Sequence, residues 1–241
     1  GAIPNTGLFE RLTGIDLPDT RALENALGDA LANRDHILRD LLHQRKSEPD
    51  AEELLRQTQA EADQGKFDGP WEVYEDEHGR LRSTVPYKNW LPARRFARVQ
   101  TRSDSSYSVR PIDDCTRSGL NPATGATERM RMSGLPALLD TIEHIALHFE
   151  SWGSDGQPLL AKGDHKQAYR QWPVHQEDMA LLVCLVWDDE VGPKGGYRAY
   201  AHKALPFGAF AAVWSYTRVA GSIVHSLRRL FARAPVAYVD D

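Results

Sequence analysis

Residues 180–187 read Ala-Leu-Leu-Val-Cys-Leu-Val-Trp, an apolar run that meets its first polar side chain at Asp188. A short run of this kind, rich in branched side chains and bounded by turn residues, is a central strand of a sheet. The next segment, Asp188-Asp189-Glu190-Val191-Gly192-Pro193-Lys194-Gly195-Gly196, is a turn, and Tyr197-Arg198-Ala199-Tyr200-Ala201-His202 alternates back beside the first strand. The chain must build its sheet around this hairpin.

The remaining elements fit one architecture. Leu23, Leu27, Leu31, Ile37, Leu38, Leu41 and Leu42 recur at helical spacing, which predicts a helix over 19–45 with an N-cap at Asp19-Thr20. Ser47-Glu48-Pro49-Asp50 breaks it, and a second helix runs from Asp50 to about Ala62, ending at Gly65. Extended segments follow at 71–75, 81–85, 96–100 and 109–113, the last confined to an edge or an end by Pro111. Residues 134–149 form an amphipathic helix, and residues 208–233 a long one. An apolar stub, Pro158-Leu159-Leu160-Ala161, leads to Asp164, and a final strand ends at Tyr238. The fold class expected is α+β, an antiparallel sheet backed by helices.

Composition narrows the functions. No apolar run approaches the ~18 residues of a membrane span. The start, Gly-Ala-Ile-Pro-Asn-Thr-Gly, has neither the basic nor the apolar region of a signal peptide, and no initiator Met. Cys115 and Cys184 make no disulfide framework, so buried thiols in a reducing intracellular compartment, cytoplasmic or nuclear, are expected. The net charge of −5 is unevenly spread: residues 1–80 carry −9 and residues 81–241 carry +4. Within 94–131 eight arginines face four acids, a composition that attracts phosphates, although a solvated arginine-rich face is the plain alternative.

Chemistry enters with the acids. Asp164 follows one apolar stub, and Asp240 and Asp241 follow another, Ala234-Pro235-Val236-Ala237. Carboxylates on strand ends suit Mg²⁺, which takes hard oxygen ligands in octahedral order. Two such ions about 4 Å apart activate an attacking oxygen and stabilise a leaving one, the requirement of nucleotidyl transfer.

Four pieces occur in order: Arg110-Pro111-Ile112-Asp113-Asp114 with Asn121 beyond it, Asp164-His165-Lys166-Gln167-Ala168-Tyr169-Arg170-Gln171, Leu205-Pro206-Phe207-Gly208-Ala209, and Tyr238-Val239-Asp240-Asp241. Together they resemble the fingers and palm of reverse transcriptases of the retroviral and gypsy-like retroelement kind. The resemblance covers about residues 65–241 and leaves 1–64 outside as an acidic helical extension.

It implies a right-hand polymerase fold, cut before the thumb, that carries out RNA-directed DNA synthesis. Asp164 and Asp240 would hold two Mg²⁺, for which Mn²⁺ can substitute, with Asp241 as the family's less directly coordinating acid. Tyr169 would pack under the incoming sugar and exclude a 2′-hydroxyl. Phe207 and Gly208 would line the nucleotide, and Arg110 would meet the triphosphate. Arg98, Arg102 and Arg117 are further candidates for contact with phosphates and template. Asp113 and Asp114 are expected to be structural, or partners of nearby arginines. His144 and His148, an i,i+4 pair, read as exposed polar positions rather than zinc ligands.

The implied partners are dNTP and an RNA or DNA template with its primer; a thumb, RNase H and integrase would accompany such a polymerase but are not in this sequence. With the sequence ending on Asp241, little DNA synthesis is expected from the 241 residues alone. The alternative is a retroelement relic that keeps a nucleic-acid-binding fold without turnover.

Overall fold

The computed structural model describes residues 2–3, 10–44, 50–101, 105–130, 135–148, 163 and 165–231. Asp19 caps the first helix, α1 (Thr20–Ala32): its carboxylate accepts from the N–H groups of Arg21 at 3.0 Å and Ala22 at 3.2 Å. The single helix expected over 19–45 is two. Asn33-Arg34-Asp35 interrupts the apolar stripe, and the chain restarts as α2 (Arg34–His43). The next helix, α3 (Ala51–Asp63), starts at Asp50, whose side chain makes no capping bond, and stops before Gly65, where φ is 76°.

Six strands form one sheet. They are β1 (Phe67–Glu75), β2 (Leu81–Ser83), β3 (Pro92–Thr101), β4 (Tyr107–Asp113), β5 (Val183–Asp188) and β6 (Gly196–His202), in the order β2-β1-β6-β5-β3-β4. The apolar run is central, as expected, though its first residues belong to a 3-10 turn, Gln176–Leu181. The sheet is mixed rather than wholly antiparallel. Strand β5 pairs with β6 antiparallel and with β3 parallel, Pro92 opposite Val183 and Arg94 opposite Leu185. A long crossover joins β3 to β5, which a parallel pair requires. Pro111 lies on β4, which has a neighbour on one side only, so its missing N–H removes no ladder bond from a central strand.

Side chains alternate across the sheet, and each face has its own cover. Val183, Leu185, Tyr197, Ala199 and Ala201 point to one face and pack with Leu38, Leu41 and Leu42 of α2. Cys184, Val186 and Tyr200 point to the other, with Leu54 of α3 and Phe67. Two hydrogen bonds fasten these helices: the Tyr197 hydroxyl donates to the Leu41 carbonyl at 3.1 Å, and the Tyr200 hydroxyl to Gln59 Oε1 at 3.2 Å. The alternating residues 197–202 are covered on both faces. The helical leader is not peripheral. Its charged faces point outward while its leucines close the core on both sides of the hairpin.

The chain divides into two units, and the division does not fall at residue 64. The first comprises Gly1–Ile3, Pro18–Gly125 and Tyr169–Val213, and holds the sheet with α1, α2 and α3. The second comprises Pro4–Leu17, Ala126–Ala168 and Trp214–Asp241. It contains α4 (Leu135–His148) and all but the first turn of α5 (Phe210–Phe231). Within it, residues Glu10–Arg11 pair with Glu128–Arg129. Glu128 is fully buried, and Arg218 of α5 reaches its Oε2 at 3.2 Å. The strands expected before Asp164 and before Asp240 lie outside the described residues. No helix among the described residues is long and apolar enough to cross a membrane.

Truncating Leu54, which is 1% exposed beneath α3, should lower unfolding free energy by about 2–5 kcal/mol in the Leu54→Ala variant, read by urea denaturation. An unchanged midpoint would mean that α3 is an appendage.

Candidate functional site

Three pieces that are distant in sequence meet at one end of the sheet. The first is the end of β4 and the loop after it. The backbone N–H of Asp113 donates to the Phe207 carbonyl at 3.1 Å. Asn121 bridges the same segment: its amide donates to the Gly208 carbonyl at 2.9 Å, and its Oδ1 accepts from the N–H of Phe210 at 2.8 Å. Phe210 opens α5, so Asn121 satisfies a helix-start N–H from another part of the chain. Gly208 has φ 104°, and a Cβ there would lie 2.0 Å from the Asp113 carbonyl oxygen. Backbone meets backbone at this point, and no side chain fits.

The second piece is Phe207-Gly208, and the third is the 3-10 turn Tyr169–Gln171. The Tyr169 ring is 8% exposed and sits edge-on to Phe207, with centroids 5.1 Å apart. Tyr169, Phe207 and Gly208 are thus brought together, and Phe207-Gly208 is pinned to Asp113 and Asn121.

Beneath this corner, on the α3 face of the sheet, lies a group of buried charges. Arg95 and Asp113 are cross-strand partners, with Arg95 Nε 3.2 Å from Asp113 Oδ1. Glu61 of α3 lies 2.9 Å from Arg170 and 3.5 Å from Arg95. Arg170 also donates to His202 Nδ1 at 2.8 Å and to the Ala204 carbonyl at 2.9 Å. Both guanidinium groups rest on the Phe67 ring, at 5.0 Å for Arg95 and 4.8 Å for Arg170. Two acids face two arginines, so the cluster balances if His202 is neutral.

The geometry makes His202 neutral. Its Nδ1 accepts from Arg170, which leaves the ring hydrogen on Nε2, facing Asp113 Oδ2 at 3.1 Å but off the line of a good hydrogen bond. A second ring hydrogen would point at a guanidinium. Burial is the largest influence on the imidazole and drives its pKa down to about 4, against the upward pull of Asp113. Burial would raise the Asp113 carboxyl, but the Arg95 charge and then His202 hold it below the ordinary value. The Cys184 thiol is pushed well up, chiefly by burial, and is inert.

Asp113, Cys184 and His202 bring one possible ligand atom each within 4.8 Å, so this group could hold a metal by distance alone. Its chemistry argues otherwise. The thiol is held protonated, and two buried guanidinium groups already neutralise the acids. A set with thiol and imidazole is also the wrong kind for Mg²⁺.

The sequence-derived residues fall into three groups. Tyr169, Phe207 and Gly208 converge. Arg98 and Arg110 are direct cross-strand partners on β3 and β4, one exposed and one half-buried, and neither pairs with an acid among the described residues. Like charges set opposite one another disfavour a sheet unless an anion lies between them. Arg117 is committed elsewhere, 3.2 Å from Asp40 and donating to Gln44 Oε1 at 3.0 Å, which fastens its loop to α2. Arg102, Asp164, Asp240 and Asp241 lie outside the described residues. Asp113 is structural, as expected, and Asp114 accepts from the Arg117 N–H at 2.9 Å. His144 and His148 are exposed on α4, with ring centroids 4.3 Å apart. The residues that sequence reading passed over are Glu61, Arg95, Arg170 and His202. Nothing in their spacing marks them, since they come from four separate elements.

The cluster sets a pH dependence. His202 has a folded pKa below its unfolded value, so the unfolded chain takes up its proton first as pH falls. Stability should therefore drop between about pH 6.5 and about pH 4, by on the order of 3 kcal/mol from this group. The lowered Asp113 carboxyl adds a loss in the same direction at more acid pH. Urea midpoints measured across pH 7 to 4 should show the decline, and His202→Gln should flatten its upper part.

Comparison with protein-family models finds no match, and no curated protein and no solved structure matches this chain.

Proposed function

We propose that the chain is the fingers and palm part of an RNA-directed DNA polymerase, transferring nucleotides from dNTP to a primer 3′-hydroxyl. The observation that carries this reading is the convergence of Tyr169, Phe207-Gly208 and the Asp113–Asn121 loop. Three of the four polymerase-like sequence pieces contribute to it, across some ninety residues of intervening chain. An aromatic pair at such a corner suits packing against a sugar and base. The Arg98–Arg110 pair lies on the hairpin that leads into the corner. Two guanidinium forks without acidic partners among the described residues suit the oxygens of a triphosphate.

In the mechanism proposed, the triphosphate is held at the arginine pair and the sugar rests against Tyr169. Asp164 and Asp240 would hold the magnesium ions, which when bound lower the barrier by neutralising charge on the reacting phosphate. The chain's own contribution is position: it fixes where sugar, base and phosphates lie relative to the primer. Template contacts would run mostly to the backbone, with stacking on the templating base. The second reading, a nucleic-acid-binding relic, is favoured by no particular observation.

Primer extension decides between them. With an RNA template, a DNA primer, dNTP and Mg²⁺, the polymerase reading expects template-directed incorporation by the full-length protein that falls at least about a thousandfold in Asp164→Asn, as loss of a metal-holding group in a charge-stabilised reaction does. Primer–template binding with no incorporation would leave the relic. Unchanged incorporation in the variant would remove Asp164 from the chemistry.

A further inference from the structure

Tyr169 and Arg170 are adjacent residues of one 3-10 turn, and their side chains go different ways. Tyr169 packs on Phe207. Arg170 is 2% exposed at its side chain and is fastened by four groups: Glu61, His202, the Ala204 carbonyl and the Phe67 ring. A buried arginine tied this closely leaves the neighbouring peptide little freedom to rotate. The same Glu61 Oε2 that takes Arg170 also faces Arg95, and Arg95 holds Asp113. Asp113 in turn holds the Phe207 carbonyl through its backbone N–H.

The charge cluster thus reaches the aromatic pair by two routes. One runs through Arg170 to Tyr169. The other runs through Arg95 and Asp113 to Phe207. Glu61 is where they join, and it comes from α3, within the segment that the sequence resemblance leaves out. It also keeps some solvent access, at 18% side-chain exposure, whereas its two arginine partners are at 2%.

We infer that Glu61 is a positioning residue: by clamping Arg170 and Arg95 together it fixes the Tyr169 ring against Phe207, and so sets how strictly the proposed nucleotide site discriminates between deoxyribose and ribose. This rests on the polymerase reading for its consequence, though not for its geometry. The carboxylate touches no nucleotide. Loss of its charge leaves two buried guanidinium groups with one acid between them, and the turn at residues 169–171 shifts to relieve them. A displacement of an ångström at the ring is enough to alter discrimination by about ten- to a hundredfold.

The test uses two measurements. The first is ¹⁹F NMR of protein carrying 3-fluorotyrosine, with the Tyr169 signal assigned by its loss in Tyr169→Phe. Glu61→Gln should move or broaden that signal, while Glu61→Asp, which keeps the charge, should move it less. The second is incorporation of dATP and of ATP by the full-length protein, with kcat and KM determined for each. Glu61→Gln should lose about tenfold or more of the deoxynucleotide preference, mainly through better use of ATP, and Glu61→Asp should recover most of it.

An unmoved Tyr169 signal in folded Glu61→Gln overturns the inference. So does a lowered melting temperature with unchanged sugar preference, the mark of a merely structural ion pair. A wild-type chain with no sugar preference would instead refute the polymerase reading, and the NMR result would still decide whether Glu61 positions the ring. Should Glu61→Gln not fold, Arg170→Lys keeps the charge but loses the fork, and the same two readings apply to it.

Discussion

Burying two arginines, an acid and a histidine beneath one helix, with a second acid on the helix itself, is costly unless every charge has an opposite close by. Here the set closes on itself. Glu61 and Asp113 balance Arg95 and Arg170, His202 stays neutral between them, and the Phe67 ring carries both guanidinium groups. The five come from α3, β3, the end of β4, a 3-10 turn and the end of β6. Each element is thereby held in one place relative to the others. An apolar core of equal volume would tolerate small slips of a helix on a sheet; a charge cluster does not, because a slip strands a charge.

On the function proposed, that rigidity serves the neighbouring corner. The residue before Arg170 is Tyr169, the strand that ends in Asp113 carries Arg110 three residues earlier, and the strand that ends in His202 leads to Phe207-Gly208. The groups proposed to meet sugar, base and phosphates are therefore each within a few residues of a member of the cluster. Asn121 adds the remaining constraint by holding Gly208 and the start of α5 from the far side of the loop. Precise positioning is what a reaction carried by metal ions and oriented phosphates asks of its protein.

Much of this was legible in the sequence, for identifiable reasons. The central hairpin follows from the unbroken apolar run at 183–187 and the glycine-rich turn after it, and Asp19 and Gly65 mark helix ends through local chemistry alone. The edge position of β4 follows from Pro111. What stayed hidden depends on long-range pairing. The parallel contact between β3 and β5 leaves no periodic trace, and the charged sequence of α2 and α3 conceals that their leucines cover opposite faces of one sheet. Glu61 looks like any surface glutamate of an acidic helix, and Arg95 like one more arginine in a basic stretch. Their partners are 109 and 18 residues away. Conversely, Tyr169, Phe207 and Gly208 were singled out by resemblance, and the fold brings them to one corner.

The central proposal is that this corner receives a deoxynucleoside triphosphate. A crystal structure of the chain grown with dNTP and Mg²⁺ addresses it most directly. The account expects the triphosphate against Arg98 and Arg110, the sugar on Tyr169, and oxygens of Asp164 and Asp240 within about 4 Å of one another, twice a Mg–O distance, across a shared ion. Nucleotide bound elsewhere, or an ordered chain that keeps those two carboxylates well apart, would contradict it.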